Sequence, residues 1–249
     1  TQNAFGGMPT YQLGAQYAYQ GVKTLDRIIR FLPRPIDYLF LYLISFYLLL
    51  SSLKIDFRLS MLGSIAFSLA TYHLIIIEVG HNAKAHAIGY FPLVLASLLY
   101  LFRSRKFILP TLFLTLSMAL ELVANHYQMT YYLFMLIGVY LLFKAYEAIT
   151  AKEGVVYLKR IGVFIVSILW AVLLNASTIF ATRQYAQFST RSTPEISLEG
   201  ASTNSGLSFE YITTYSYGIA ESFNLFIPRL FGGSNSEPLP KGSHLELLL

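Results

Sequence analysis

The sequence predicts an all-α membrane protein: a bundle of about six transmembrane helices, with an amphipathic helix at its outer surface. Composition is the first reason, because 55% of the residues are hydrophobic and only 12% are charged, whereas soluble domains carry about 25% charged residues. The second is the 19 tyrosines and 19 phenylalanines, since aromatic rings with a polar edge collect at membrane–water boundaries. The third is a series of apolar stretches of near-spanning length.

The first predicted element is an amphipathic helix from Tyr19 to Leu32. Its apolar residues recur at helical spacing, and charged residues fill the other face, as in a helix that lies in the plane of the membrane surface. The apolar set is Val22, Leu25, Ile28, Ile29 and Leu32, and the charged set is Lys23, Asp26, Arg27 and Arg30. Pro33 and Pro35 end this helix. The alternative, an amphipathic helix packed on a soluble domain, remains open.

Six apolar stretches follow, and each is long enough, or nearly so, to cross the roughly 30 Å hydrocarbon core as a helix. They are residues 37–53, 59–77, 87–102, 107–124, 129–143 and 161–180. The third and fifth are short and need their flanking aromatic residues to complete the span.

The distribution of basic residues predicts the orientation of these spans. Loops 54–58, 103–106 and 144–160 contain nine lysines and arginines, whereas loops 78–86 and 125–128 contain only Lys84. Because basic residues of short loops stay in the cytoplasm, the first set is predicted to be cytoplasmic. The outer loop 1–36 and the outer segment 182–249 then flank a membrane region at 37–181, and both ends of the chain are extracytoplasmic.

Charge and cysteine content limit the partners. The net charge is +5, but the basic residues are dispersed over short loops, so we expect no nucleic-acid partner. There are no cysteines, which excludes disulfides and thiolate metal sites. Glu78, His81 and His86 match no standard zinc spacing, so no protein-bound metal site is predicted.

Polar residues collect in the predicted outer loop 78–86. It contains His81, Asn82, Lys84 and His86, and Lys84 is the only basic residue in an outer interhelical loop. Because an anion needs positively charged donors, these residues are predicted to grip a phosphate or sugar hydroxyls. The alternative is that Lys84 extends toward the membrane surface and the histidines solvate a turn.

Glu121 lies about one turn inside the outer end of its span. Asn125 and Gln128 follow it at i+4 and i+7, which places them on the same face of a continuing helix. A carboxylate at this depth faces a cavity or a partner, so Glu121 is predicted either to line a polar pocket, with His126 nearby, or to bond another helix. His73 and Asn175, within spans, are predicted to form hydrogen bonds between helices. Outer polar residues after the last span extend the candidate site: Arg183, Arg191, Glu221 and Arg229.

Several motifs in order resemble the YfhO-like membrane proteins of bacteria, in the version found in Bacteroidetes-type bacteria. They are Asn3-Ala4-Phe5-Gly6-Gly7-Met8-Pro9, Gly80-His81-Asn82-Ala83-Lys84-Ala85-His86, Asn125-His126-Tyr127-Gln128-Met129, Ser189-Thr190-Arg191 and Tyr215-Ser216-Tyr217-Gly218-Ile219-Ala220-Glu221. That family is similar to GT-C glycosyltransferases, polytopic enzymes that take a sugar from a polyprenyl-phosphate carrier at the outer membrane face. The resemblance implies a GT-C-like fold, a place in the bacterial inner (cytoplasmic) membrane, a role in the cell envelope and a polyprenyl-phosphate sugar donor.

The sequence departs from the family pattern in one respect. The family places a first transmembrane helix, and the acidic residue expected to be the catalytic base, upstream of the Gly7-Met8-Pro9 motif. Neither is present in this sequence, so the resemblance implies a fragment, and the catalytic residue is unknown.

The chemistry of glycosyl transfer suggests roles for the remaining candidates. Transfer needs a general base, a cation or basic side chain for the departing phosphate, and a groove for the lipid. The basic residues Lys84, Arg183, Arg191 and Arg229 are predicted to hold the phosphate, and Glu121, Asn125, His126 and Gln128 to bind sugar hydroxyls or orient the acceptor. A divalent cation as cofactor stays open.

Two other functions compete with this prediction. A transporter or flippase of a lipid-linked or polar substrate would show broken spans and polar residues at mid-membrane on several helices. A non-catalytic accessory protein would hold only lipid or a partner enzyme.

Overall fold

The computed structural model describes residues 3–4, 8–9, 21–186, 213, 218–227 and 230. Its helices are α1 (Gly21–Ile29), α2 (Ile36–Ser52), α3 (Phe57–Ser68), α4 (Thr71–Glu78), α5 (Asn82–Arg103), α6 (Ile108–Val123), α7 (Tyr127–Thr150), α8 (Gly154–Leu174) and α9 (Ala176–Ala186). The chain divides into two compact units, Tyr17–Ile179 and a second made of Thr1–Gln16 with Phe180–Leu249.

The predominantly helical, membrane-protein character of the described residues is confirmed. Four helical stretches are long and apolar enough to cross a membrane, and two further apolar helices are shorter. The long stretches are Phe57–Glu78, Asn82–Arg103, Tyr127–Thr150 and Gly154–Leu174, and the shorter helices are Ile36–Ser52 and Ile108–Val123. Six spans in total, and which ends face the cytoplasm, stay predictions.

The core of the larger unit lies where α5 packs between α2 and α6. α6 in turn packs on α8, and α1 packs on α6. The main apolar cluster joins Leu98 and Leu101 of α5 to Met118 of α6, Leu133 of α7 and Phe164 of α8. α5 is mostly buried, whereas α7 and α8 expose most of their surface. In a membrane protein such exposed apolar faces fit contact with lipid.

Two predicted loops are largely helical. Loop 144–160 was predicted as a long cytoplasmic connection, but α7 continues to Thr150 and α8 begins at Gly154. Lys152 takes a positive φ of 57° and closes the short turn between them. Loop 78–86 is likewise shorter than predicted, because α5 begins at Asn82. The bounds of these two loops were predicted wrongly because the helical turns beyond an apolar stretch are polar. Polarity alone does not distinguish such turns from a loop.

The predicted span 59–77 is a broken helix. α3 ends at Ser68 and α4 begins at Thr71, with the N-cap Ala70 in extended geometry. The break frees backbone carbonyls inside an apolar stretch, where they need a partner. The carbonyl oxygen of Phe67 accepts from the Ala70 backbone N–H at 3.2 Å and also lies 2.7 Å from the Nδ1 of His73. This bond joins the two halves of one predicted span, whereas the prediction was a hydrogen bond between spans.

Asn175, at the end of α8, joins α8 to α6. Its Nδ2 donates to the carbonyl oxygens of Ala119 in α6 and Ala171 in α8, both at 3.0 Å. The prediction of an interhelical hydrogen bond at Asn175 is therefore confirmed. α8 ends at Leu174 rather than continuing to residue 180 as predicted, and α9 begins directly after Asn175.

The smaller unit contains little regular structure among its described residues. Strands β1 (Asn3–Ala4) and β2 (Met8–Pro9) pair antiparallel, with Asn3 opposite Pro9. A 3₁₀ helix covers Ala220–Leu225.

Candidate functional site

Asp26 lies at the centre of a buried hydrogen-bond network, the Asp26 network, made of Asp26, Arg30, Asp37, His86 and Tyr90. Only 3% of Asp26 is exposed. Its Oδ1 accepts from the Tyr90 hydroxyl at 2.8 Å and lies 2.7 Å from the Nε2 of His86. Arg30 binds both carboxylate oxygens, with Nε to Oδ1 at 3.1 Å and Nη2 to Oδ2 at 2.8 Å. The network therefore ties α1 to the first turns of α5.

Arg30 extends this network to α2. Its Nη1 donates to the Oδ2 of Asp37 at 2.6 Å, and the guanidinium carbon lies 5.5 Å from the ring centre of Tyr38. Burial acts to lower the pKa of Arg30, but the hydrogen bond to Asp26 and the charges of Asp26 and Asp37 outweigh burial and raise it. Arg30 is therefore a fixed cation between two carboxylates.

The carboxyl of Asp26 is held in its ionised form. Burial alone would raise its pKa, but hydrogen bonds from His86 and Arg30, together with their charges, hold it well below the usual range of an aspartate. A carboxylate so stabilised is a weak proton acceptor. Asp26 is thus a structural anchor and a poor candidate for a general base.

Two sequence predictions are corrected by this network. Asp26 was assigned to the exposed charged face of the amphipathic helix, yet it is buried. His86 was placed with Lys84 in an outer loop, yet its side chain lies inside the bundle and is 7% exposed. The burial of Asp26 could have been predicted from helical spacing, because residues 22, 26 and 29 share one face of a helix. Val22 and Ile29 on that face pack against the apolar core.

Two turns at one end of the larger unit carry the candidate ligand-binding residues His81, Lys84 and His126, which we call the outer loop cluster after the side predicted for them from the sequence. The α4–α5 turn bends at Gly80, with φ of 77°, and the α6–α7 turn bends at Asn125, with φ of 53°. One apolar cluster beneath them contains Ile76, Ala85, Ala124 and Met129 and holds the two turns together.

Lys84 and His126 face the same region. Lys84 Nζ lies 5.6 Å from the ring centre of Tyr72. Burial lowers the pKa of His126, and the positive charges of Lys84 and His81 lower it further. The Nδ1 of His126 is buried without a hydrogen-bond partner within the described part of the chain. At neutral pH, His126 is therefore an uncharged imidazole beside a lysine, with one ring nitrogen free to bond a ligand.

The structure places the remaining candidates around this cluster or away from it. Asn82 and Asn125 are exposed beside it. Gln128 is also exposed, and its Nε2 donates to the Tyr132 hydroxyl at 2.8 Å. Arg183, in α9, and Glu221, whose carboxylate accepts from the Gly218 backbone N–H at 2.6 Å, belong to the smaller unit. Arg191 and Arg229 lie outside the described residues.

Glu121 does not share a face with Asn125 and Gln128, contrary to the prediction. α6 ends at Val123, and the positive φ of Asn125 turns the chain into α7. Glu121 is only 1% exposed. The Thr130 hydroxyl lies 2.9 Å from Oε1 and 3.2 Å from Oε2 of the Glu121 carboxyl and bonds it. Of the two interpretations left open, the buried bond to another helix is the one that the geometry supports.

No group of three or more potential metal-ligating side chains occurs among the residues that the structure describes. His81 and His126 approach Lys84, whose charge repels a cation. A phosphate or a sugar hydroxyl suits this donor set better than a metal ion does.

The lowered pKa of His126 predicts a pH dependence for anion binding. A sugar phosphodiester keeps one negative charge between pH 5 and 7, so a change in its affinity reports on the protein. Affinity is expected to rise severalfold as pH falls from 7 to 5, because His126 gains a proton only below the ordinary histidine pKa of about 6.5. Isothermal titration calorimetry of wild type and His126→Gln at both pH values should show a smaller rise in affinity for the substituted protein. An equal rise in both proteins would contradict a role for His126.

In comparisons with protein-family models, curated proteins and solved structures, nothing matches the chain. The resemblance to the YfhO-like family therefore stays a prediction.

Proposed function

We propose that the protein binds a polyprenyl-phosphate-linked sugar at its extracytoplasmic face and acts as a GT-C-like membrane glycosyltransferase. The observation that carries this proposal is the approach of Lys84, His81 and His126 on two separate turns at one end of the helices. A cation beside hydrogen-bonding side chains is the combination that a phosphate next to a sugar requires.

The surroundings of the outer loop cluster suit a lipid-linked ligand. Tyr131 and Tyr132, in the first turns of α7, are exposed, as are Leu74 of α4 and Val79 directly after it. These apolar surfaces at a membrane boundary offer contact area for an isoprenoid chain. In this arrangement Lys84 holds the phosphate, His126 and Asn82 bond the sugar, and the lipid tail stays in the bilayer.

The general base of the proposed transfer is not assigned to any described residue. In such a transfer the acceptor oxygen attacks the sugar carbon, the bond to phosphate breaks, and a base takes the acceptor proton. The carboxylate of Asp26 is hydrogen-bonded to Arg30, His86 and Tyr90. The carboxyl of Glu121 is buried and hydrogen-bonded to Thr130, so neither group is available to an acceptor. The described residues therefore account for donor binding and leave the proton acceptor open.

Binding of a short-chain polyprenyl-phosphate monosaccharide to the detergent-purified protein tests the proposal. Lys84→Ala is expected to weaken binding by about tenfold or more, since a charge-assisted hydrogen bond contributes about 1.5–3 kcal/mol. The matched control is Lys106→Ala, an exposed lysine in the α5–α6 turn at the opposite end of α5. Saturable binding lost only with Lys84→Ala would support the donor site. Absence of binding by the folded wild type would contradict the proposed donor site.

A transporter or flippase is the second candidate, and the broken span α3–α4 favours it. Breaks in spans and buried polar side chains are features of transporter sites, and His73 lies at the break while Glu121 is buried in α6. Proteoliposome flux of a fluorescent lipid-linked sugar separates the candidates. Flux in wild type that Glu121→Gln abolishes, without sugar transfer to an acceptor, would favour transport.

A further inference from the structure

The larger unit has a cavity at the end opposite to the outer loop cluster. It encloses about 410 Å³, within the range of about 300–1,000 Å³ that small-molecule sites occupy. It lies where α7 ends and α8 begins, against the last turn of α5. The lining residues used below are Phe102, Lys144, Glu147, Glu153, Tyr157 and Arg160.

The cavity contains charges of both signs in equal number. Lys144 and Glu147 form an ion pair at 2.5 Å. The other two charged residues, Glu153 and Arg160, do not form an ion pair with each other. Glu153 has no ion-pair partner within the described part of the chain. The Nε of Arg160 is buried and has no acceptor there either. A buried donor without a partner carries an energetic cost that a ligand oxygen would remove.

Arg160 is positioned for an anionic group. Its guanidinium carbon lies 5.8 Å from the ring centre of Phe102, which restrains the side chain at the cavity wall. Arginine binds phosphate through several N–H groups at once. Glu153, at the start of α8, offers a carboxylate for a positive group in the same ligand. A purely anionic ligand would meet two carboxylates, and a purely cationic ligand would meet two cations.

The cavity is flanked by surfaces that suit acyl chains. Tyr146 and Ile149 of α7 and Val155 and Leu158 of α8 are all exposed apolar side chains within two turns of the cavity. Both helices are candidate membrane spans. A ligand with a charged head in the cavity can therefore keep hydrocarbon chains along these faces.

We propose that this cavity binds the headgroup of phosphatidylethanolamine, with Arg160 at the lipid phosphate and Glu153 at the lipid ammonium. Basic pockets between membrane-spanning helices bind anionic lipid headgroups, and the two carboxylates in this cavity favour instead a headgroup that also carries a primary ammonium. The site is separate from the donor site proposed at the other end of the helices and does not depend on it.

Native mass spectrometry of the detergent-purified protein, titrated with phosphatidylethanolamine, phosphatidylglycerol and phosphatidylcholine of equal chain length, tests the proposal. Phosphatidylethanolamine is expected to bind about tenfold more tightly than the other two, because only it matches both charges and donates hydrogen bonds from its ammonium. Arg160→Gln should reduce this binding about tenfold. The matched control is Lys159→Gln, which removes the same charge from the adjacent exposed position of α8.

Glu153→Gln gives an independent measurement at an exposed position of the turn, where a folding defect is not expected. It should narrow the difference between phosphatidylethanolamine and phosphatidylglycerol while leaving binding of both detectable. Equal binding of the three lipids by wild type, or equal losses in Arg160→Gln and Lys159→Gln, would overturn the proposal. So would free phosphoethanolamine binding as tightly as the lipid, since the ligand would then be a soluble molecule.

Discussion

Replacing Asp26 with asparagine is expected to destabilise the helical unit by about 3–5 kcal/mol, because it leaves a buried arginine without its bidentate partner. The substitution keeps the shape of the side chain and removes the charge that Arg30 neutralises. The new amide could not accept at both former carboxylate oxygens, since one position becomes an N–H₂ donor facing donors. Unfolding in sodium dodecyl sulfate, followed by far-ultraviolet circular dichroism, measures the change.

Asp56→Asn is the matched control for Asp26→Asn. Asp56 is exposed and caps α3, where its carboxylate accepts from the Arg58 backbone N–H at 2.9 Å. Asparagine caps a helix about as well as aspartate, so this substitution should change the free energy of unfolding little. Comparable losses in the two variants would show that the Asp26 network does not anchor α1.

The difference in folding stability between wild type and Asp26→Asn should depend on pH in a defined direction. The folded state holds the pKa of Asp26 below its ordinary value, so the network stabilises the fold fully above the unfolded pKa of about 3.9 and loses this contribution as pH falls below it. The part of the stability difference between wild type and Asp26→Asn that comes from ionisation of Asp26 should therefore be fully present above about pH 5. It should shrink only in more acidic solution.

Gly89→Ala is expected to cost about 1–3 kcal/mol, the usual range for overpacking a tight core. A Cβ at residue 89 would lie 2.5 Å from Leu41 Cδ2, 2.9 Å from Leu41 Cγ and 3.2 Å from Tyr42 Cε1. Both neighbours are buried, and the Tyr42 hydroxyl is fixed by its 2.9 Å bond to the carbonyl oxygen of Ala85. α2 and α5 would have to separate to admit the methyl group.

Gly138→Ala supplies the control for Gly89→Ala. Gly138 lies inside α7, and an added Cβ would meet nothing within 4 Å. Alanine favours a helix over glycine by about 0.5–1 kcal/mol, so this variant should be as stable as wild type or more so. Thermal unfolding in detergent distinguishes the two: a lower midpoint for Gly89→Ala alone supports close α2–α5 contact. Equal midpoints would contradict it.

Hydropathy predicted the helices well because burial in lipid or core requires runs of apolar residues. The centres of α2, α5, α6 and α7 lie close to the centres of the predicted apolar stretches. The ends could not be predicted in the same way, since the polar last turns of α7 and the polar first turn of α5 have loop-like composition. The break at Ala70 was not predicted either, because no proline or glycine marks it in the sequence.

The candidate site was predictable only in part. Lys84, His81 and His126 were identified from their types and their shared side of the predicted topology, and the structure brings them to neighbouring turns. The roles of His86 and Asp26 could not be read from the sequence, because 60 residues separate these partners and only the packing of α1 on the bundle joins them. A cavity such as the one beside Arg160 likewise depends on three helices at once.

The separation of Asp26 from its partners also has a consequence for the order of synthesis. Tyr90 follows Asp26 by 64 residues, which a ribosome adds in about 3–13 s at 5–20 residues per second. During that interval α1 has Arg30 but neither His86 nor Tyr90. α1 can therefore reach its final position only after α5 has been synthesised. Docking of α1 is thus a late step that requires the chain from α1 to α5.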